Sequence, residues 1–253
     1  MKRLITAIFA LGALVVTAQN NKPGKQQSAQ PKERAVGIKE TYGSGQNQWL
    51  NIYPAKTGKP APVYIWSHTN SDGRVLPSAN DIPKGVVDSC NEAGIHVISW
   101  ESVPQVKDRE DILTCRADMV NVYKWVAANA SKYNIDLDNI FIGGQSRGSI
   151  VSWEFFCNDY DKVRGAYLAQ ALPKGAWYED ASNPLTTMTA NNPPLVLSYR
   201  TDMETDDGHS PKFGKRIADK YAELGIGDRA TLLLEQKNLY TELVPFINKY
   251  KKQ

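Results

Sequence analysis

The chain has 253 residues, 42% hydrophobic, 23% charged and 9% aromatic, with 30 Lys+Arg against 27 Asp+Glu. That length suits one large domain with a sizeable core. A formal net charge of only +3 speaks against nucleic acid or an anionic membrane surface as partner.

The N-terminus has the form of a secretory signal. Lys2 and Arg3 precede an apolar run, 5–16, that is too short to span a bilayer. Cleavage after Ala18 predicts a mature chain from Gln19, with Lys2 and Arg3 gone and the net charge at +1. No cysteine stands at the cut, so no lipid anchor is expected. The division is therefore 1–18 signal peptide, 19–35 disordered polar spacer and 36–253 one domain. A secreted or periplasmic protein is expected, with no later stretch long and apolar enough to cross a membrane.

Residues 38–42 and 48–53 read as a hairpin around Gly43-Ser44-Gly45. A buried strand comes next over 63–67, then a loop from His68 to Gly73 and a helix over 86–93 closed by Gly94. Residues 95–100 form the next strand, and 111–134 show helical periodicity. Strands are predicted over 139–143, 165–169, 194–199 and 230–234, and helices over 149–156, 211–224 and 240–251. Strands alternating with helices make this an α/β domain whose mostly parallel sheet carries helices on both faces. Its site should lie at the carboxyl ends of the strands, after Ser67, at Ser146, after Tyr199 and after Leu234. Cys90, Cys115 and Cys157 fall in predicted helices at a spacing that fits no metal motif. They read as buried thiols, with one disulfide left open as an alternative, and no metal or organic cofactor is expected.

The most informative stretch is Gly144-Gln145-Ser146-Arg147-Gly148, directly behind the apolar run 140–143. A G-x-S-x-G turn between a strand and a helix forces its serine into a strained conformation and lifts the hydroxyl above the sheet edge. The flanking glycines leave room for the neighbouring strand and helix. The free N–H groups at the helix start can stabilise an oxyanion.

With this order and motif the chain resembles the α/β-hydrolase superfamily. More loosely, it is similar to secreted bacterial esterase and lipase-type proteins of the feruloyl or acetyl-xylan esterase kind. The resemblance covers about 36–250 and rests on 62–68, on 125–142 and on the G-x-S-x-G elbow. It implies Ser146 as nucleophile, with the Arg147 backbone N–H as one oxyanion donor. A second donor would come from Thr69 or Asn70, where relatives carry His-Gly-Gly-Gly and this chain has His68-Thr69-Asn70-Ser71. His68 is expected to fix that loop. Asp202, just after the strand ending at Tyr199, is the expected acid, with Asp206 and Asp207 as alternatives.

The base is the departure. Relatives supply a histidine after the last strand, and here 235–239 contain none. His96 lies inside a strand and suggests a core or edge role. His209 is either a solvent-exposed residue ahead of the helix cap at Ser210 or a base recruited to Ser146. Trp177 and Tyr178, in the long loop 172–192, could stack on a phenolic or sugar ring or simply anchor their own loop. Two functions are consistent with these residues. One is an exported serine ester hydrolase acting through an acyl-serine on small acyl or feruloyl esters of carbohydrates. The other is a catalytically degenerate binding protein of the same fold that has lost the triad histidine. The expected partner is a small-molecule or carbohydrate ester, with the oligomeric state left open.

Overall fold

The computed structural model describes residues 34–70, 78–170, 184–204 and 209–253. The predicted signal peptide, nearly all of the predicted spacer, Trp177, Tyr178, Asp206 and Asp207 lie outside these residues. Among the described residues one eight-stranded sheet has the order β1-β2-β4-β3-β5-β6-β7-β8. The strands are β1 (Ile38–Thr41), β2 (Trp49–Tyr53), β3 (Ala61–Ser67), β4 (His96–Trp100), β5 (Ile135–Gln145), β6 (Gly165–Ala169), β7 (Leu195–Ser198) and β8 (Ala230–Leu233). β1 and β2 pair as the expected antiparallel hairpin, and β2 joins β4 antiparallel. Every pairing from β4 to β8 is parallel.

Among the described residues five α-helices cover the sheet: α1 (Lys84–Glu92), α2 (Arg109–Tyr133), α3 (Arg147–Asn158), α4 (Lys212–Glu223) and α5 (Leu243–Tyr250). Side chains on a strand point alternately to opposite faces, so each central strand feeds two cores. Val63, Ile65, Ile140 and Ile142 pack with α2, α3 and α4. Tyr64, Trp66 and Phe141 pack with α1 and α5. Each fully buried side chain of this size contributes roughly 1.5–3 kcal/mol. The periodic residues Ile112, Met119, Val122 and Val126 of α2 are all buried in the first core.

Several boundaries differ from the sequence expectation. β5 begins at Ile135, because α2 ends abruptly at Asn134, which takes the left-handed conformation at φ 59° and feeds the strand at once. The last helix starts at Leu243 rather than 240. There Asn238 holds a turn instead, accepting from Tyr240 N–H at 3.0 Å on its side chain. The cysteines sit in α1, α2 and α3, all buried and all free, so the disulfide alternative is not realised. His96 is a core residue. Its Nδ1 accepts from Ala55 N–H at 3.0 Å, which leaves Nε2–H to donate to the Asn134 carbonyl at 3.0 Å. Burial holds this imidazole below its ordinary value, partly offset by the bond to Asn134.

Candidate active site

Ser146 sits between β5 and α3 with φ 54° and ψ −120°, a region that costs a residue with a side chain on the order of 1–3 kcal/mol. It is held there by hydrogen bonds. Its N–H donates to the Ala169 carbonyl at 3.0 Å, and its own carbonyl accepts from Ser149 N–H at 3.0 Å and from the Ser149 hydroxyl at 2.7 Å. The two motif glycines make the turn sterically feasible. A Cβ on Gly144 would stand 2.5 Å from the Ser67 carbonyl oxygen, and one on Gly148 would stand 2.0 Å from the same atom. Any side chain at either position would push the elbow away from the end of β3.

Against this serine lies His209. Its Nε2 is 3.0 Å from Ser146 Oγ. It arrives on the segment that leaves the carboxyl end of β7, and its next neighbour in the chain secures it. Ser210 is fully buried, and its hydroxyl accepts from Lys212 N–H at 3.3 Å. The helix proper starts at Lys212 with Pro211 in the cap position, one residue later than expected. Asp202 is not brought to the pair. Its side chain is exposed and no hydrogen bond or ion pair joins it to His209 among the described residues.

Arg147 opens α3, so its backbone N–H has no intrahelical acceptor and lies beside the serine. Its side chain does something sequence reasoning missed. It runs inward, 4% exposed, into a buried polar cluster beneath the elbow. Nη2 donates to the Val103 carbonyl at 2.6 Å, and Nη1 lies 2.7 Å from His68 Nε2. His68 Nε2 also meets Glu101 Oε1 at 2.8 Å, and its Nδ1 meets the Thr69 carbonyl at 2.8 Å. Glu101 accepts further from Ser102 N–H at 3.1 Å and Ala79 N–H at 3.2 Å. His68 therefore does fix the loop after β3, through a carboxylate at the end of β4. The signal was legible in principle: Glu101 is an acidic residue directly behind a buried strand, on the site side of the sheet.

Thr69 and Asn70 are half-buried at the start of that loop. The Asn70 side chain is spent on Val106, donating to its carbonyl at 2.7 Å and accepting its N–H at 3.0 Å. The Asn70 amide is thereby engaged away from a substrate. Residues 71–77 lie outside the described residues. Among the described residues, no group of three or more His, Cys, Asp or Glu side chains is placed to hold a metal ion.

No family model matches the chain, and no curated protein matches it. Solved structures do. A novel thermophilic esterase of the planctomycete Thermogutta terrifontis shares 13% identity over 85% of this chain and 91% of its own, with a TM-score of 0.62. A bacterial heroin esterase shares 16% over 85% of this chain and 83% of its own, with a TM-score of 0.62. A bifunctional GH43-CE protein of Bacteroides eggerthii shares 13% over 83% of this chain and 34% of its own, with a TM-score of 0.65. The chain has the α/β-hydrolase fold. In this chain the segment after β8 holds Lys237 and Asn238 where the resemblance implied a histidine, and the imidazole facing Ser146 comes from the segment after β7.

Proposed function

We propose that the protein is a serine carboxylic ester hydrolase acting through an acyl-serine on small acyl or feruloyl esters of carbohydrates, in a secreted or periplasmic setting. The observation that carries this reading is the 3.0 Å approach of His209 Nε2 to Ser146 Oγ on a strained elbow. That distance lies within the range a nucleophile and its base require. The esterase names of the structural neighbours support it. One of those solved structures is a Thermogutta terrifontis esterase phosphonylated by cyclosarin, at 14% identity and a TM-score of 0.64.

The chemistry is set by the arrangement. With its proton on Nδ1, His209 accepts the Ser146 hydroxyl proton on Nε2 as Oγ attacks the ester carbonyl carbon. Negative charge gathers on the carbonyl oxygen, where the Arg147 N–H and a backbone N–H of Thr69 or Asn70 donate to it. His209 then hands its proton to the departing alcohol, leaving the acyl group on Ser146. Water enters, loses a proton to His209 and attacks the acyl carbon; the bond from that carbon to Ser146 Oγ then breaks as His209 returns the proton to Oγ, releasing the acid and restoring the serine. Asp202, Asp206 and Asp207 are the candidates for the carboxylate that orients the imidazole, the last two lying outside the described residues.

The test is hydrolysis of a chromogenic acetate ester by protein starting at Gln19, with Ser146→Ala and His209→Ala beside it. Either substitution should cut kcat by about 10⁴ to 10⁶. An organophosphonate should add its mass to the peptide holding Ser146. Equal rates in wild type and Ser146→Ala would end the reading and leave a binding protein of this fold.

A further inference from the structure

Beside the elbow, on the face of the sheet covered by α1 and α5, lies a cleft of about 620 Å³. Its walls come from the first turn of α1 (Gly85, Val86), the end of β5 (Gln145), the segment after β7 (Arg200) and the segment after β8 (Lys237, Tyr240). That volume suits a small organic group. Gln145 immediately precedes Ser146, so the cleft begins one residue from the nucleophile.

Its charge is one-sided. Arg200 and Lys237 line it, and no Asp or Glu does among the described residues. Among the described residues the guanidinium has neutral acceptors: Nε donates to Gln170 Oε1 at 3.3 Å and Nη1 to the Lys237 carbonyl at 3.1 Å. Gln145 Nε2 donates to the same Gln170 oxygen at 3.4 Å. One side-chain amide thus ties the guanidinium to the neighbour of the nucleophile. A guanidinium fixed in place without a carboxylate partner is a fork presented to an incoming anion.

We propose that this cleft is a subsite for a carboxylate carried by the ester substrate, so that acidic esters are taken in preference to neutral ones. The proposal rests on the ester-hydrolase reading above and names the class of ester. The carboxylate sits either on the acyl side or on the alcohol side of the bond to be cut, and the two arms of the test separate these.

The test measures kcat/KM for two matched pairs in wild type and in R200Q/K237Q. The first pair is 4-nitrophenyl hydrogen adipate against 4-nitrophenyl heptanoate, with the charge on the acyl side. The second is 3-carboxyphenyl acetate against 3-methylphenyl acetate, with the charge on the alcohol side. In at least one pair the acidic-to-neutral ratio should fall by about ten- to hundredfold in the double variant, the scale of a lost charge-assisted hydrogen bond. The pair that responds identifies the side. Turnover that depends on Ser146 with the same ratio in both proteins, for both pairs, would overturn the subsite and leave the hydrolase standing. No Ser146-dependent turnover of any of the four esters would remove the hydrolase reading and the subsite with it.

Discussion

Replacing Glu101 by Gln keeps the shape of the side chain and removes its charge from a buried site. The carboxylate is 5% exposed and faces three nitrogens: His68 Nε2 at 2.8 Å, Ser102 N–H at 3.1 Å and Ala79 N–H at 3.2 Å. A glutamine has one acceptor oxygen and turns an NH₂ group toward a donor, so one of those N–H groups is left buried without a partner, at about 1–3 kcal/mol. Removing the anion from beside the His68 and Arg147 cluster brings the total into the range of about 3–5 kcal/mol typical of broken buried pairs. For a domain of this size 1 kcal/mol shifts Tm by roughly 2–4 °C, so a fall of about 6–20 °C is expected. Thermal melting followed by near-ultraviolet circular dichroism, with urea titration at 25 °C, reads it directly. Arg147→Met should cost a comparable amount. The double variant should cost less than the two added together, because neither charge is then left without the other. A loss below about 1 kcal/mol for Glu101→Gln, or strict additivity in the double variant, would refute the claim that this cluster holds the loop after β3 to the elbow.

Other consequences are open to the same instruments. Ser146→Gly should abolish turnover yet raise stability by about 1 kcal/mol, since relief of roughly 1–3 kcal/mol of backbone strain outweighs the roughly 0.5–1 kcal/mol that glycine costs in entropy; a destabilised variant in a urea titration would contradict the strain argument. Gly148→Ala places a Cβ 2.0 Å from the Ser67 carbonyl oxygen. It should lose at least about 2 kcal/mol and about a hundredfold in kcat, and a near-native rate would show that the elbow gives way freely. His96 sets a pH dependence. Its folded pKa is depressed chiefly by burial, so the unfolded chain binds a proton more readily. Its contribution is therefore present above the unfolded value of about 6.5 and is lost as the pH falls below it. Urea titrations from pH 8 to 5 should show that decline in wild type and a shallower one in His96→Gln.

The layered architecture was legible because continuous apolar runs and helical periodicity leave strong marks. Runs such as 63–67 and 140–143 carry a side chain for each core in alternation, and α2 shows its buried face in Ile112, Met119, Val122 and Val126. The turn at Ser146 was legible because G-x-S-x-G is a steric necessity, and the Ser67 carbonyl against Gly148 shows why. What the sequence concealed is long-range. Nothing local in Arg147 says that its side chain turns under the helix toward His68, a residue 79 positions away. Nor does the string around His209 say that it reaches Ser146 across 63 positions. Asp202 illustrates the converse: it comes after the right strand, but the chain carries it to the surface.

The three thiols have a consequence for how the molecule can be watched. Cys90 lies in the core between the sheet and α1, while Cys115 and Cys157 lie in the core on the other face. Burial lifts the Cys90 thiol to about 12 and pushes Cys157 well up. The thiolate is the reactive form and all three thiols are buried, so the folded protein should be silent to alkylating reagents. One sulfur stands guard over one face of the sheet and two over the other. Mass counting after a brief pulse of reagent would then distinguish a molecule that opens one layer at a time, gaining one or two tags, from one that surrenders both together and gains three.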